Sequence, residues 1–271
     1  MSLGHVGIIG FGAIAHDLID ILEGAEGGPP DRVSVLVRKG REDTARATLD
    51  ADRVLVTSDL EELLAQNPDV IAECASHQAV AEHGSLILSA GIDLVVASVG
   101  ALSDPNLANA LETAARVGNA QCVVPPGAIG GIDALGAARL SGLTSVTYTG
   151  RKPPKAWQGT PAEKATDLAA LTEPFQFFEG NAREAAQSFP KNANVAATLA
   201  LAGLGMDETR VQLIADPTTS ENVHEFTVTS DALDFSVRLV GKPSPLNPKT
   251  SRSTVYSIAR AVLNRSAAIA I

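Results

Sequence analysis

Residues 6–15 read Val-Gly-Ile-Ile-Gly-Phe-Gly-Ala-Ile-Ala, and this stretch constrains the fold more than any other. An apolar, β-prone run leads directly into Gly10, Gly12 and Ala15, spaced G-x-G-x-x-A. A chain that turns sharply from a buried strand into a helix needs small residues at that spacing. Gly10 permits the turn, Gly12 lets backbone approach a pyrophosphate, and Ala15 lets the helix pack closely on the strand. The first helical turn, at Ala13 and Ile14, offers unpaired N–H donors and a positive dipole end to phosphate. The spacing alone is a weak signal. Its place after a strand and ahead of further strand–helix units marks it as a dinucleotide-binding loop.

Those further units are visible in the patterning. Short β-rich runs at 6–9, 33–37, 54–56, 70–73, 94–97 and 122–124 alternate with helical stretches at 13–22, 41–48, 60–66, 79–90 and 106–117. Leu60, Leu63 and Leu64 share one helical face, as do Leu107, Ala110, Leu111 and Ala114. Such alternation predicts an α/β Rossmann arrangement, a doubly wound parallel sheet. The chain is 45% hydrophobic but only 4% aromatic, so its core is aliphatic, as suits parallel strands covered on both faces.

The character changes at Val124-Pro125-Pro126-Gly127. Helices are predicted at 131–140, 182–188 and 195–204, and strands at 144–149, 175–179, 209–215, 223–229 and 233–239. The last two strands flank Ser230-Asp231-Ala232, which predicts an antiparallel hairpin. Residues 150–161 read as a polar, Pro-rich loop and 242–249 as a Pro-rich connector. The tail, 253–271, is helical in pattern, with an apolar stripe at Val255, Ile258, Ala259 and Val262. The second region is therefore expected to be an α+β domain with a mainly antiparallel sheet.

A net charge of −10 with no extended Lys/Arg cluster argues against nucleic-acid binding. No run of about 18 apolar residues exists, so no membrane span is expected. The N-terminal stretch has no basic region of the signal-peptide kind. Cys74 and Cys122 lie in apolar runs without metal-binding spacing and read as buried structural thiols. A cytoplasmic location is expected.

Ligands of open α/β sheets lie beyond the carboxyl ends of the strands. Ala75-Ser76-His77-Gln78, Ser98-Val99-Gly100-Ala101 and Pro126-Gly127-Ala128-Ile129 occupy such ends. Where an acid commonly grips the adenosine ribose, this chain has Val37-Arg38-Lys39. Arg38 either contacts the adenosine end, tolerating a 2′-phosphate so that NADP as well as NAD binds, or is a solvated arginine. Of five histidines, His5 is expected at the surface and His16 and His83 on polar helix faces. His77 sits at a strand end near the predicted cofactor crevice. His224, within a predicted strand, is either catalytic or a strand-face residue.

GFGAIA, ECASHQAV, ASVGAL, PPGAIGGIDAL, TGRKPPKAW, FFEGNAREAAQSFPKNANVAATLALAG and Asn222-Val223-His224-Glu225 occur in that order. In this the chain resembles the L-aspartate dehydrogenases over nearly its whole length. The resemblance implies a dinucleotide domain of residues 1–124 and 245–271, closed by the returning C-terminal helix. Residues 125–244 then form a substrate and oligomerisation domain. It also implies dinucleotide contacts at Ala128 and Asn194 and a catalytic histidine at His224, with His77 reduced to a lining role. The implied reaction is NAD(P)-dependent oxidation of L-aspartate through iminoaspartate to oxaloacetate and ammonia. It either feeds iminoaspartate to NAD biosynthesis or runs reductively. His224 is expected to move protons because an ordinary imidazole titrates at roughly pH 6.5.

Two substrate carboxylates need cations. Arg151 or Lys152, expected just beyond a strand end, either grips them or is solvated, and Lys191 is a weaker candidate. A homodimer through the second sheet is expected. Two alternatives stay open: a Rossmann oxidoreductase of a sugar, polyol or cyclic imine, and a non-catalytic dinucleotide sensor. The sugar reading is disfavoured because Ala97-Ser98-Val99-Gly100 contains no lysine.

Overall fold

A computed structural model describes residues 3–50, 53–190, 193–242 and 251–270. The chain divides into two units, residues 1–125 with 255–271, and residues 126–254. Lys191 and nearly all of the Pro-rich connector, from residue 243 on, lie outside the described residues.

In the first unit, β1 (His5–Ile9), β2 (Arg32–Leu36), β3 (Val54–Thr57), β4 (Val70–Glu73), β5 (Asp93–Val96) and β6 (Cys122–Val123) are joined by helices. These are α1 (Ala13–Glu23), α2 (Glu42–Arg46), α3 (Leu60–Ala65), α4 (His77–Ser89) and α5 (Pro105–Gly118). The sheet order is β3-β2-β1-β4-β5-β6, with every pairing parallel. Strand side chains alternate between faces, and the core divides accordingly. Val6, Ile8, Val70 and Ala72 join the cluster holding Leu18 and Leu22 of α1. Ile9 and Ile71 join Leu63, Ile87 and Leu111 from α3, α4 and α5.

The second unit contains α6 (Ile132–Ser141), β7 (Leu143–Lys152), α7 (Ala162–Ala165), β8 (Phe175–Asn181), α8 (Ala182–Ser188) and α9 (Asn194–Ala202). It closes with β9 (Arg210–Ala215), β10 (Asn222–Ser230) and β11 (Phe235–Gly241). Its sheet runs β11-β10-β7-β9-β8. Three pairings are antiparallel and β7–β9 is parallel, so the sheet is mixed and mainly antiparallel. The last helix, α10 (Ser253–Leu263), places Val255, Ile258, Ala259 and Val262 in the first unit's core beside Val6 and Leu18. Each large aliphatic side chain so buried contributes about 1.5–3 kcal/mol.

Three local expectations are corrected. β7 does not stop at Thr149, because burial alternates through Lys152 and both neighbouring strands keep pairing there. The stretch 150–161 is not a plain loop. After β7, Pro154–Trp157 forms a 3-10 turn anchored by Trp157, which is fully buried. Its indole N–H donates to the Ile214 carbonyl at 3.1 Å, and its ring packs against Phe177 at 4.8 Å. Finally, the tail helix ends at Leu263, just past the last buried position of its apolar stripe.

Candidate active site

The glycine-rich loop has the geometry its spacing predicted. Gly10 sits at φ +92°, and a Cβ there would lie 2.8 Å from the Ala75 Cβ. Its N–H donates to the Leu36 carbonyl at 2.8 Å, tying the turn to the end of β2. Gly12 is the N-cap of α1 without any side-chain cap, and a Cβ there would meet nothing within 4 Å. Gly12 thus leaves open space beside an uncapped helix N-terminus, as a phosphate cradle requires.

This loop borders a groove of about 740 Å³, large enough for a sizeable ligand. Its wall includes Arg38, Lys39, Arg41 and Ser58 from the ends of β2 and β3, and Ala75 and Ser76 after β4. Arg38, Lys39 and Arg41 are exposed, so the end of the groove beyond β2 is cationic. The residues present therefore fit a dinucleotide: a bare helix N-terminus for the pyrophosphate and cations at the adenosine end. Ala13 and Ile14 open α1 half-buried, and Ala15 is buried against the sheet. His77 opens α4 but does not line the groove, whereas Gln78 and His83 do.

Patterning missed the residue that shapes this rim. Glu73, at the end of β4, is fully buried. Its Oε1 accepts from Ala75 N at 2.7 Å, Ser76 N at 2.8 Å and Ser98 Oγ at 2.9 Å. Its Oε2 accepts from Ser98 N at 2.9 Å. One carboxylate thus fixes the loops after β4 and β5 together, although burial still raises its pKa. A lone acid at a strand end gives no sequence signal of that role.

In the second unit, one face of β7 and β10 carries a buried polar row. Successive same-face positions on β7 are Tyr148, Gly150 and Lys152. On β10, Phe226 lies opposite Tyr148 and His224 opposite Gly150. His224 is 2% exposed, Tyr148 1% and Lys152 5%. The Tyr148 hydroxyl meets His224 Nδ1 at 2.8 Å. Glycine at 150 makes this possible, since a Cβ there would lie 2.7 Å from the Tyr148 hydroxyl oxygen. Lys152 Nζ stands 5.4 Å from the Trp157 ring centre.

Electrostatics follow from this burial. Desolvation, then the charge of Lys152, pushes His224 down to about 3. The expectation that His224 titrates near neutrality is thereby corrected: its imidazole is neutral throughout the physiological range. Burial lowers Lys152 to about 8 and raises the Tyr148 phenol. Arg151 is already engaged, donating to Asp216 Oδ2 at 2.9 Å. Burial of Asp216 opposes ionisation, but bonds from Thr218 and Arg151 hold its carboxyl below the usual range. No described residue forms an ion pair with Lys152. Of the two adjacent cations, the structure therefore leaves Lys152 available and commits Arg151.

Ala128 lies in the turn before α6, and Asn194 opens α9. Both are half-buried and belong to the second unit. His5 is not a surface residue; its ring bonds Ser34 Oγ at 2.8 Å and the Gln66 carbonyl at 3.0 Å, because β1 is the central strand and leaves no exposed position. Cys74 is buried, Cys122 partly so, and both are free thiols. Among the described residues no group of three or more His, Cys, Asp and Glu could hold a metal. No described helix is long and apolar enough to cross a membrane.

A parallel-sheet module with this loop and groove, joined to a mixed-sheet unit, defines a two-unit, nicotinamide-dinucleotide-dependent oxidoreductase. Residues 10–125 match the NAD-binding domain of homoserine dehydrogenase, and residues 133–265 match the C-terminal domain of aspartate dehydrogenase. The chain belongs to the L-aspartate dehydrogenase family. It is 49% identical over 271 residues to an L-aspartate dehydrogenase of Ralstonia pickettii, covering 98% of this chain and 99% of the relative. It is 51% identical over 268 residues to one from a Polaromonas species, with the same coverage. The crystal structure of aspartate dehydrogenase from Thermotoga maritima superposes with a TM-score of 0.78 at 26% identity, covering 98% of both chains. A dihydrodipicolinate reductase from Paenisporosarcina, at 19% identity and a TM-score of 0.54 over 97% of this chain and 96% of that one, shares the fold alone.

Proposed function

We propose that this chain oxidises the amine of L-aspartate with NAD or NADP. The product, iminoaspartate, takes up water to give oxaloacetate and ammonia, and the sequence is reversible. The observation that carries this reading is the buried row of Lys152, His224 and Tyr148, a polar constellation too expensive to keep in a core without use. It lies in the unit that matches the aspartate dehydrogenase C-terminal domain.

The residues divide by role. Gly10, Gly12, Ala13, Ile14 and Ala15 hold the pyrophosphate, and Ala75 and Ser76 line its rim. Arg38 receives the adenosine end, and its charge favours a 2′-phosphate. Ala128 and Asn194 contact the dinucleotide from residues 125–244, the substrate domain. The bound nicotinamide supplies the two-electron acceptor. Lys152 offers one substrate carboxylate a cation that pairs with no carboxylate among the described residues, and Arg151 is a lesser contact because Asp216 already holds it. His77 is at most a lining residue. His224 meets the reacting carbon–nitrogen unit as a neutral imidazole. Residues 1–124 and 245–271 form the dinucleotide domain, and the protein works as a cytoplasmic homodimer joined through the second sheet.

The test is a panel of amino acids, sugars and polyols with each cofactor, read by the near-ultraviolet absorbance of the reduced dinucleotide. Turnover of aspartate above all others is the expected result. Turnover of a sugar, or cofactor binding without turnover of any substrate, would overturn the proposal.

A further inference from the structure

We infer that Tyr148 is a positioning residue that holds His224 in the tautomer with hydrogen on Nε2, so that the imidazole meets its ligand as a hydrogen-bond donor. This rests on the proposed role of His224 but concerns a different property of the ring.

The argument begins with an inventory of donors. A phenol has one O–H to give, and a neutral imidazole has one N–H and one bare nitrogen. The Tyr148 hydroxyl meets no other hydrogen-bonding group among the described residues than His224 Nδ1, at 2.8 Å. If Nδ1 carried the hydrogen, it would donate to the phenol oxygen, and the Tyr148 O–H would be left buried without an acceptor. An unmade buried donor costs about 1–3 kcal/mol. If Tyr148 donates, its oxygen keeps only spare acceptor capacity, and the remaining donor, His224 Nε2–H, is not sealed from solvent and can give to water or a ligand. The intrinsic chemistry points the same way, because a phenol is a stronger acid than neutral imidazole and a bare ring nitrogen is a better acceptor than a phenol oxygen.

Geometry fixes the pair. The two rings are 14° from parallel with centroids 6.1 Å apart, and the hydroxyl reaches Nδ1 at 2.8 Å. Glycine at 150, opposite His224 in register, leaves the volume the hydroxyl occupies. His224 is neutral at physiological pH, as burial and the neighbouring Lys152 dictate, so a tautomer is a meaningful state of the ring. The consequence is specific. Nε2–H can donate to a developing negative charge, a carboxylate or a water oxygen, and it does not take a proton from water at that atom.

The experiment is nitrogen NMR of the full chain with isotope-labelled histidine, the His224 signals being identified by their absence in His224→Gln. At neutral pH the expected result is hydrogen on Nε2 and a bare Nδ1, the two tautomers differing in population by about tenfold or more, equivalent to about 1.4 kcal/mol. Hydrogen on Nδ1 in the unmodified protein would overturn the inference, and this measurement needs no folded Tyr148 variant. In Tyr148→Phe the ratio is expected to fall, with kcat for aspartate down about tenfold and the KM for dinucleotide within about twofold. An unchanged tautomer ratio in that variant would refute the positioning role. Failure of aspartate turnover in the substrate panel would remove the proposed function and leave the tautomer result standing, so the two failures are distinguishable.

Discussion

Replacing Lys152 by methionine is expected to make the protein more stable and less able to use aspartate. The side chains are similar in length, so the change removes charge with little change in packing. Lys152 is 5% exposed, and its pKa falls from 10.5 to about 8 because burial disfavours the ammonium. At about 1.36 kcal/mol per pH unit, that fall corresponds to a penalty of roughly 3 kcal/mol on the folded state. The sign is fixed by proton binding. Below about pH 8 lysine is charged in both states and the full penalty is present; between about 8 and 10.5 only the unfolded chain holds the proton, so folding gains stability as pH rises. Methionine removes the penalty but loses the contact over Trp157, worth about 0.5–2 kcal/mol. A net gain of about 1–3 kcal/mol near pH 7 follows from these two figures. Trp157, the only tryptophan, lies beside Lys152 and reports unfolding of this unit in urea by its fluorescence. The advantage of the variant is expected to shrink as pH rises from about 8 to 10.5, while the KM for aspartate rises at least about tenfold for want of a charge-assisted contact. A variant less stable than the parent near pH 7, or an advantage independent of pH, would refute the reasoning.

Three further perturbations probe the first unit. Gly10→Ala forces a side chain into φ +92° and against Ala75 at 2.8 Å; it is expected to cost about 1–3 kcal/mol and weaken dinucleotide binding at least tenfold by titration, so an unchanged Kd would count against the loop. Arg38→Asp is expected to lower the preference for NADP over NAD by about tenfold or more, measured as the ratio of kcat/KM values; an unmoved ratio returns Arg38 to the solvated surface. Glu73→Ala removes the acceptor of four bonds. It is expected to destabilise by about 2–5 kcal/mol in urea unfolding, since buried donors lose their partner and a cavity forms; a loss under about 0.5 kcal/mol would show that water replaces the carboxylate freely.

The first unit was the more legible from sequence, for a physical reason. Its strands are buried on both faces and its helices on one, so Val6–Ile9 and Leu60–Leu64 announce themselves by composition and period. The second unit hid its main features. Lys152 reads as a loop cation because charge and nearby prolines suggest solvent, whereas Trp157 and the two neighbouring strands draw the segment inward. Tyr148 looks like any strand aromatic; its meaning depends on Gly150 and on a pairing with β10, which no local pattern encodes. Arg151 and Lys152 are equivalent as letters, and only Asp216, distant in sequence, separates them. The resemblance singled out His224, but its neutral state is a property of burial, which residue identity does not carry. Glu73 shows the same limit, since its four donors come from two different loops.

Because α10 supplies Val255, Ile258, Ala259 and Val262 to the core around β1, the nucleotide-binding module is stitched together from two widely separated stretches of the chain. Residues 126–254 intervene between its two parts. During synthesis the glycine-rich loop emerges early, yet the hydrophobic layer beneath it stays incomplete until α10 leaves the ribosome. A fragment ending at Pro125 exposes that layer and invites aggregation, whereas a permuted chain that carries α10 ahead of β1 restores it without the intervening unit.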